Sequence, residues 1–402
     1  MPELPQRGGC RPRREQRVGV RRITVRAEAR RPQGRFVERA RHFAAFHVTN
    51  GAPCAELAPA VRSTRSRVGV GESGIGAVTL ARRDMNAAPE VTVIIPTRDR
   101  WALLERALWT VLGQHGVELE VVIVDDGSAS PMPEPLAAQL PPRVRLIELP
   151  ASGGVARARN HAISEARGEW VAFLDDDDVW APDKLRRQLD VARPDVGLVY
   201  SGAVLLDDAA RMIGVRRTPP AHELRFGLLD TNLVGGPSGV IARTALVSSV
   251  GGFDEAFGVL ADWDLWLALF QVTGAEACPG SLVGYTVHGQ NMHLGDPARL
   301  RRELRMLRQK HAALSEAAGI PLAGQPFLRW LVRRYRGAGM RAAAARVYLT
   351  IGVRHRSPRD LARAPVMLLG ERSMGVGRGG RPRGPASPVW NEPDWLLDLR
   401  GR

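Results

Sequence analysis

The sequence predicts a doubly wound α/β domain with a mostly parallel sheet, followed by a C-terminal helical extension. Three observations carry this. Apolar, β-branched runs alternate with amphipathic helices from Val91 onward, the runs are apolar throughout instead of alternating, and after about residue 293 the strand pattern gives way to helical spacing. The segments follow in order: strand VTVIIP, helix WALLERALWTVLG, strands LEVVIVDD and RVRLIEL, helix ARARNHAISEARG, and strands EWVAFLD and VGLVYSG. Continuously apolar strands separated by helices are covered on both faces, and ligands of such sheets collect at the carboxyl ends of the strands. Those ends are PTRDR, DDGS and DDDD, with ADWD further on.

The helical extension comprises LRRELRMLRQKHAALSEAAG, FLRWLVRRYR and MRAAAARVYLTIGV, each with apolar residues at helical spacing. This divides the chain into an Arg-rich segment (1–88), an α/β domain (89–295), a helical region (296–372) and a Gly-, Pro- and Arg-rich tail (373–402), expected to be flexible with Trp390, Trp395 and Leu396 as candidate docking anchors. Residues 1–84 lack a sustained period and are expected to be disordered, with Met85 an alternative start.

Charge follows the same division. The net charge is +15, but residues 1–84 hold 18 Arg, no Lys and seven acids, so the remaining 318 residues carry only +4. A basic balance confined to one arm gives little support to nucleic-acid binding, and no nucleic-acid partner is expected. Three cysteines without a CxxC pair argue against a disulfide framework or zinc knuckle. No run of about 18 uncharged apolar residues occurs, so the sequence predicts a cytoplasmic protein without membrane spans. The stripe Met340, Ala343, Ala344, Val347, Tyr348, Ile351 must be covered: peripheral contact with the inner membrane face follows from its surrounding arginines, and packing on the helix of Phe327 and Trp330 and the catalytic domain is the plainer alternative.

The chemistry concentrates at the strand ends. Asp175, Asp176, Asp177 and Asp178 follow EWVAFL directly. Four adjacent carboxylates repel one another unless a cation neutralises them, and hard oxygen ligands suit Mg²⁺ or Mn²⁺ carrying a substrate diphosphate. An acidic turn capping the next helix is the plainer alternative. Asp125 and Asp126 end the second strand, where they could accept from a base or ribose, or simply form the turn with Gly127 and Ser128. Pro96 and Thr97 end the first strand. Gly153 and Gly154 permit close backbone approach, and Arg157 and Arg159 offer guanidiniums for phosphate or carboxylate.

The succession VIIPTRDR, VDDGS, GVARARN, LDDDD resembles the inverting family 2 glycosyltransferases of the GT-A fold over roughly Val91 to His293. The resemblance implies a nucleotide-sugar donor, with Asp126 contacting the base, Asp175 or Asp176 the ribose, and Asp177 the metal. The segment VGGFDEAFGVLADWDLWLAL is similar to the acceptor-side helix, normally Glu-Asp, whose Asp is the catalytic base; Ala261 here replaces the Glu and Asp262 keeps the Asp. Trp263, Trp266, Leu267 and Phe270 recur at helical spacing, which sets Asp262 at the helix N-terminus, where the dipole favours the ionised form a base needs. In LVGYTVHGQNMH, His288 matches the histidine that completes the family's metal or diphosphate site, and His293 does not.

QPFLRW resembles the Gln-x-x-Arg-Trp motif of processive synthases but has one residue too many, so Phe327 and Trp330 are expected to be helix packing and the enzyme non-processive. The implied reaction is metal-assisted inverting transfer to a saccharide or lipid-linked acceptor in envelope or surface polysaccharide synthesis. The alternatives are a sugar-nucleotide pyrophosphorylase, which needs a Gly-rich basic loop where this chain has PTRDR, a basic nucleic-acid-binding protein, and a catalytically silent binding module.

Overall fold

The computed structural model describes residues 88–288, 296–369 and 392–400. The Arg-rich segment, the start at Met85, His293 and most of the tail, Trp390 included, lie outside them.

The sheet is built from β1 (Val91–Thr97), β2 (Leu119–Asp125), β3 (Val144–Glu148), β4 (Trp170–Phe173), β5 (Val179–Trp180), β6 (Val196–Leu206), β7 (Met212–Arg216), β8 (Val240–Arg243) and β9 (Gly274–Thr286), in the order β3-β2-β1-β4-β8-β6-β9-β5 with β7 added beside β6. Strands β1 to β4 pair in parallel, as their continuous apolar runs predict. Beyond β4 the sheet is mixed: β8 runs antiparallel to β4 and β6, β9 is parallel to β6, and β5 is antiparallel to β9. The doubly wound class holds, and its parallel character belongs to the N-terminal half. In that half β1 and β2 are connected through α1 (Trp101–Leu112), and β3 and β4 through α3 (Val155–Ser164).

Alternation along β1 explains the two layers. Val93 and Ile95 join Leu104 and Leu108 of α1 in one core, while Ile94 joins Ala158 and Ala162 of α3 in the other. Successive side chains of a strand point to opposite faces, so a strand covered on both sides is apolar at every position.

Helix α7 (Ala261–Leu269) packs in the second of these cores and is buried nearly all round, Asp264 and Leu265 included, so the stripe expected from its sequence is only part of its contact surface. Its cover comes from α8 (Pro297–Lys310) and α10 (Gln325–Gly337), with the Trp263 and Phe327 rings 5.0 Å apart. Burying each such large side chain contributes about 1.5–3 kcal/mol. The stripe on α11 (Arg341–Arg354) faces inward: Ala344 and Ile351 are fully buried and Ala343 and Tyr348 nearly so, between α10 and α12 (Pro358–Leu369). The apolar positions of the stripe are therefore occupied by neighbouring helices, which is the packing alternative, and the exposed arginines beside it are what membrane contact would have to use. Among the described residues, no helix is long and apolar enough to cross a membrane. As the tail sequence suggests, Leu396 on α13 (Asp394–Arg400) is buried with Val179, Val204 and Leu206, and Trp395 donates through Nε1 to the Ser281 carbonyl at 3.2 Å.

Candidate active site

The acidic run leaves β4 at its carboxyl end, beside the end of β1. Thr97 donates through Oγ1 to Asp176 Oδ2 at 2.8 Å, fixing that carboxylate against the first strand. Asp178 turns inward, accepting from the Ser238 hydroxyl at 2.6 Å and the Thr286 backbone N–H at 3.0 Å. The Asp177 carbonyl accepts from Thr286 Oγ1 and Arg106, so β9 and α1 hold the turn from both sides. His288, just past β9, brings Nε2 within 2.8 Å of Asp177 Oδ2, the contact expected of the residue predicted to share its site.

Arg100 is the residue that sequence reasoning missed. Its Nη1 donates to Asp176 at 2.7 Å and to Asp177 at 3.1 Å, a guanidinium wedged between two carboxylates. It lies in PTRDR, where the only signal was a cation three residues beyond a strand end. Arg159 pairs with Asp175 and is itself buried.

Crowding and burial set the electrostatics. Burial pushes Asp176 up to about 6, against the pull of Arg100. Asp175 and Asp178 are also raised, by burial first and by neighbouring carboxylates. Ligand atoms of Asp175, Asp177 and Asp178 lie within 4.8 Å of one another. Hard, mutually repelling oxygens at this spacing, with a guanidinium already standing as counter-charge, fit a divalent cation such as Mn²⁺ or Mg²⁺.

The other strand-end carboxylates are engaged locally. Asp126 accepts from Ser152 Oγ and from the Gly153 and Gly154 N–H groups at 2.7–2.9 Å, tying the end of β2 to the start of α3. Gly154 has φ 92, a left-handed conformation that other residues rarely adopt. Asp125 accepts from Ser128 N–H and Oγ in the turn form the sequence left open, and Pro96 is buried within β1. The structure thus gathers Thr97, Asp175, Asp176, Asp177, Arg159 and His288 directly at the acidic turn, and places Asp125, Asp126 and Gly154 on the loops beside it.

Asp262 stands in the first turn of α7, as predicted, with Oδ1 on the Trp263 N–H at 2.7 Å and Oδ2 on Asn232 Nδ2 at 3.3 Å. Ringed by protein yet open on one side, it lines a cavity of about 550 Å³. Burial raises its pKa to about 6, so desolvation outweighs the helix dipole that was expected to hold it low. Its helix is held from outside: Glu303 of α8 accepts the N–H groups of Gly258, Val259 and Leu260 at 2.8–3.0 Å, and Asp264 accepts from Lys310 and His311. The stretch from Asp207 to Gly235, without an interpretable sequence pattern, forms β7, α5 (Ala221–Asp230) and the Asn232 turn on the cavity wall.

Residues 92–233 match the family model described as Glycosyl transferase family 2. Succinoglycan biosynthesis protein ExoO of Rhizobium meliloti (strain 1021) is 32% identical over 216 residues, covering 51% of this chain and 62% of that protein. The putative teichuronic acid biosynthesis glycosyltransferase TuaG of Bacillus subtilis (strain 168) is 37% identical over 107 residues, 26% of this chain and 42% of that one. Among solved structures, the mannosyltransferase PcManGT from Pyrobaculum calidifontis in complex with GDP-Man and Mn²⁺ aligns with a TM-score of 0.45 and 22% identity, covering 73% of this chain and 82% of that one. The chain spans 62% or less of the length of the first curated relatives it matches.

Proposed function

We propose, from the match of residues 92–233 to the Glycosyl transferase family 2 model, that the chain is a metal-dependent, inverting, non-processive glycosyltransferase of the GT-A fold that moves a sugar from a nucleotide-sugar to a saccharide or lipid-linked acceptor hydroxyl. One observation carries it: a convergent carboxylate cluster at the mouth of the sheet stands beside a separate carboxylate, Asp262, that opens onto a cavity. The catalytic domain spans 89–295, with 296–372 as its helical support. The names of relatives concerned with succinoglycan and teichuronic acid support a place in envelope or surface polysaccharide synthesis.

Asp177, with Asp175 and Asp178 near it and His288 against it, is assigned to hold Mn²⁺ or Mg²⁺. The metal supplies Lewis acidity toward the departing diphosphate. Asp262 takes the acceptor's proton, the freed oxygen attacks the anomeric carbon opposite the leaving group, and the bonding pair departs with the nucleoside diphosphate, inverting the centre in one displacement. Thr97, Asp125, Asp126, Gly154, Arg159 and Asp176 are assigned to the donor nucleotide and Pro96 to the wall beside it. Sedimentation with anionic vesicles tests peripheral contact with the inner membrane face; attachment requires binding that weakens with salt.

A thermal-shift screen of nucleotide-sugars with Mn²⁺ tests the reading. One donor should raise the melting temperature, and transfer from it should cease in excess chelator. No shift with any nucleotide-sugar, or transfer indifferent to chelation, would overturn it.

A further inference from the structure

The cavity beside Asp262 has an uneven charge. Its walls present three guanidiniums, Arg216, Arg333 and Arg334, against the single carboxylate of Asp262. The rest of the lining is largely apolar, with Phe327 and Trp330 contributed by α10.

Arg216 is built into the wall. Its Nη1 donates to the Val234 carbonyl at 2.6 Å, and it lies so close over Gly235 that a Cβ there would stand 1.2 Å from Nη1. Gly235 has φ 82, so the chain both adopts a left-handed turn and leaves the space this guanidinium fills. Among the described residues no carboxylate pairs with Arg216, and Val234 is its one hydrogen-bond partner, although a guanidinium has five N–H donors. Arg334 lies 5.7 Å from the centroid of the Trp330 ring, and Arg333 is exposed at the rim without an ion pair among the described residues.

Asp178 and Asp262 act on Arg216 only through space, so a guanidinium held in this low-dielectric wall gains from an anion that meets it directly in the working complex. We propose that the cavity takes an acceptor carrying an anionic group, a carboxylate or a phosphate, near the hydroxyl offered to Asp262, with Arg216, Arg333 and Arg334 receiving the anion and Trp330 and Phe327 its apolar face. This rests on the glycosyl-transfer reading above. It also gives the FLRW segment of α10 a second role: Phe327 packs against Trp263 on one side, and with Trp330 it lines the cavity on the other.

The test titrates the full chain, with Mn²⁺, against octyl β-D-glucuronide, octyl β-D-glucoside and octyl phosphate by calorimetry. The glucuronide should bind about 10- to 100-fold tighter than the glucoside, the worth of one charge-assisted hydrogen-bonded pair. The preference should disappear in R333Q/R334Q and shrink in R333Q alone, whose exposed side chain is dispensable for folding. Octyl phosphate binding as tightly as the glucuronide assigns the anion to a lipid phosphate; binding as weakly as the glucoside assigns it to the saccharide. Equal affinity for glucuronide and glucoside, or a preference that survives in the double variant, overturns the proposal. So does loss of nucleotide-sugar binding in R333Q/R334Q, which would assign these arginines to the donor. A wild-type protein that prefers the glucuronide yet binds no nucleotide-sugar would instead sink the transfer reading and leave the anion site standing.

Discussion

Arg100 donates to the same Asp177 oxygen, Oδ2, that His288 Nε2 approaches, at 3.1 Å and 2.8 Å respectively. One carboxylate oxygen thus meets both an internal cation and an imidazole, so the guanidinium would compete with the proposed metal for it. Removing the guanidinium leaves Asp176 and Asp177 facing each other with less counter-charge, at a cost of about 1–3 kcal/mol. Arg100→Gln is expected to melt earlier without metal and to gain more from added Mn²⁺ than the wild type does. Equal Mn²⁺ shifts in the two proteins would show that Arg100 does not stand in for the cation.

Asp177→Ala removes the carboxylate shared by Arg100 and His288. Transfer should fall to background, and Mn²⁺ should no longer raise the melting temperature. A variant that keeps both properties would move the metal to other groups.

Asp262→Asn keeps the shape of the site and removes the proposed base. Turnover should drop about 10²- to 10⁴-fold while the donor still binds. With Asp262 raised to about 6, wild-type kcat/KM should climb as pH rises through 6, a limb absent from the variant. The stability effect has the opposite sense. A carboxyl whose folded pKa lies above its unfolded value contributes stability that is lost as pH rises through the folded value. Asp262 and Asp176 are both raised to about 6, so melting temperature should increase as pH falls from 7 to 5, less steeply in Asp262→Asn. A flat profile between pH 5 and 7 would contradict the assigned burial.

Glu303→Ala strips the acceptor from three N–H groups ahead of α7. Each buried donor left unpaired costs about 1–3 kcal/mol, so a large loss of stability is expected. At temperatures where the fold survives, kcat should fall more than donor KM changes, and the acid limb near pH 6 should shift because Asp262 is no longer held in place. Glu303→Gln, which retains one acceptor oxygen, should recover part of each. An unchanged limb in the alanine variant would reduce Glu303 to a packing residue.

The strand-end side of the site was legible because its residues sit within a few positions of strand ends, and a buried parallel strand announces itself by an unbroken apolar run. VTVIIP, LEVVIVDD and EWVAFLD therefore located Thr97, Asp125, Asp126 and Asp175 to Asp178 without tertiary information. The cavity beside Asp262 was less so. Arg216 gains its meaning from Gly235, and Glu303 from three backbone groups some 43–45 residues earlier, contacts that leave no periodic trace. Trp330 and Phe327 do pack as their helical spacing predicts, stacked 5.5 Å apart against the core, and that spacing could not reveal that both also line a cavity. The direction of the sheet beyond β4 was illegible for a similar reason, since an apolar run does not reveal which way its partner runs.

The cavity beside Asp262 is assembled from chain stretches far apart: the Asn232 to Gly236 turn, the start of α7, and α10 nearly a hundred residues on from that turn. Strands β1 to β4 contribute nothing to its lining. The two faces of the molecule can consequently drift at different rates. Substitutions or length changes in α8 and α10 remodel the room around the incoming partner without touching a hydrogen bond of the parallel strands. The same scaffold can thus be recombined with new helical caps, keeping one half of its chemistry fixed while the other is rewritten.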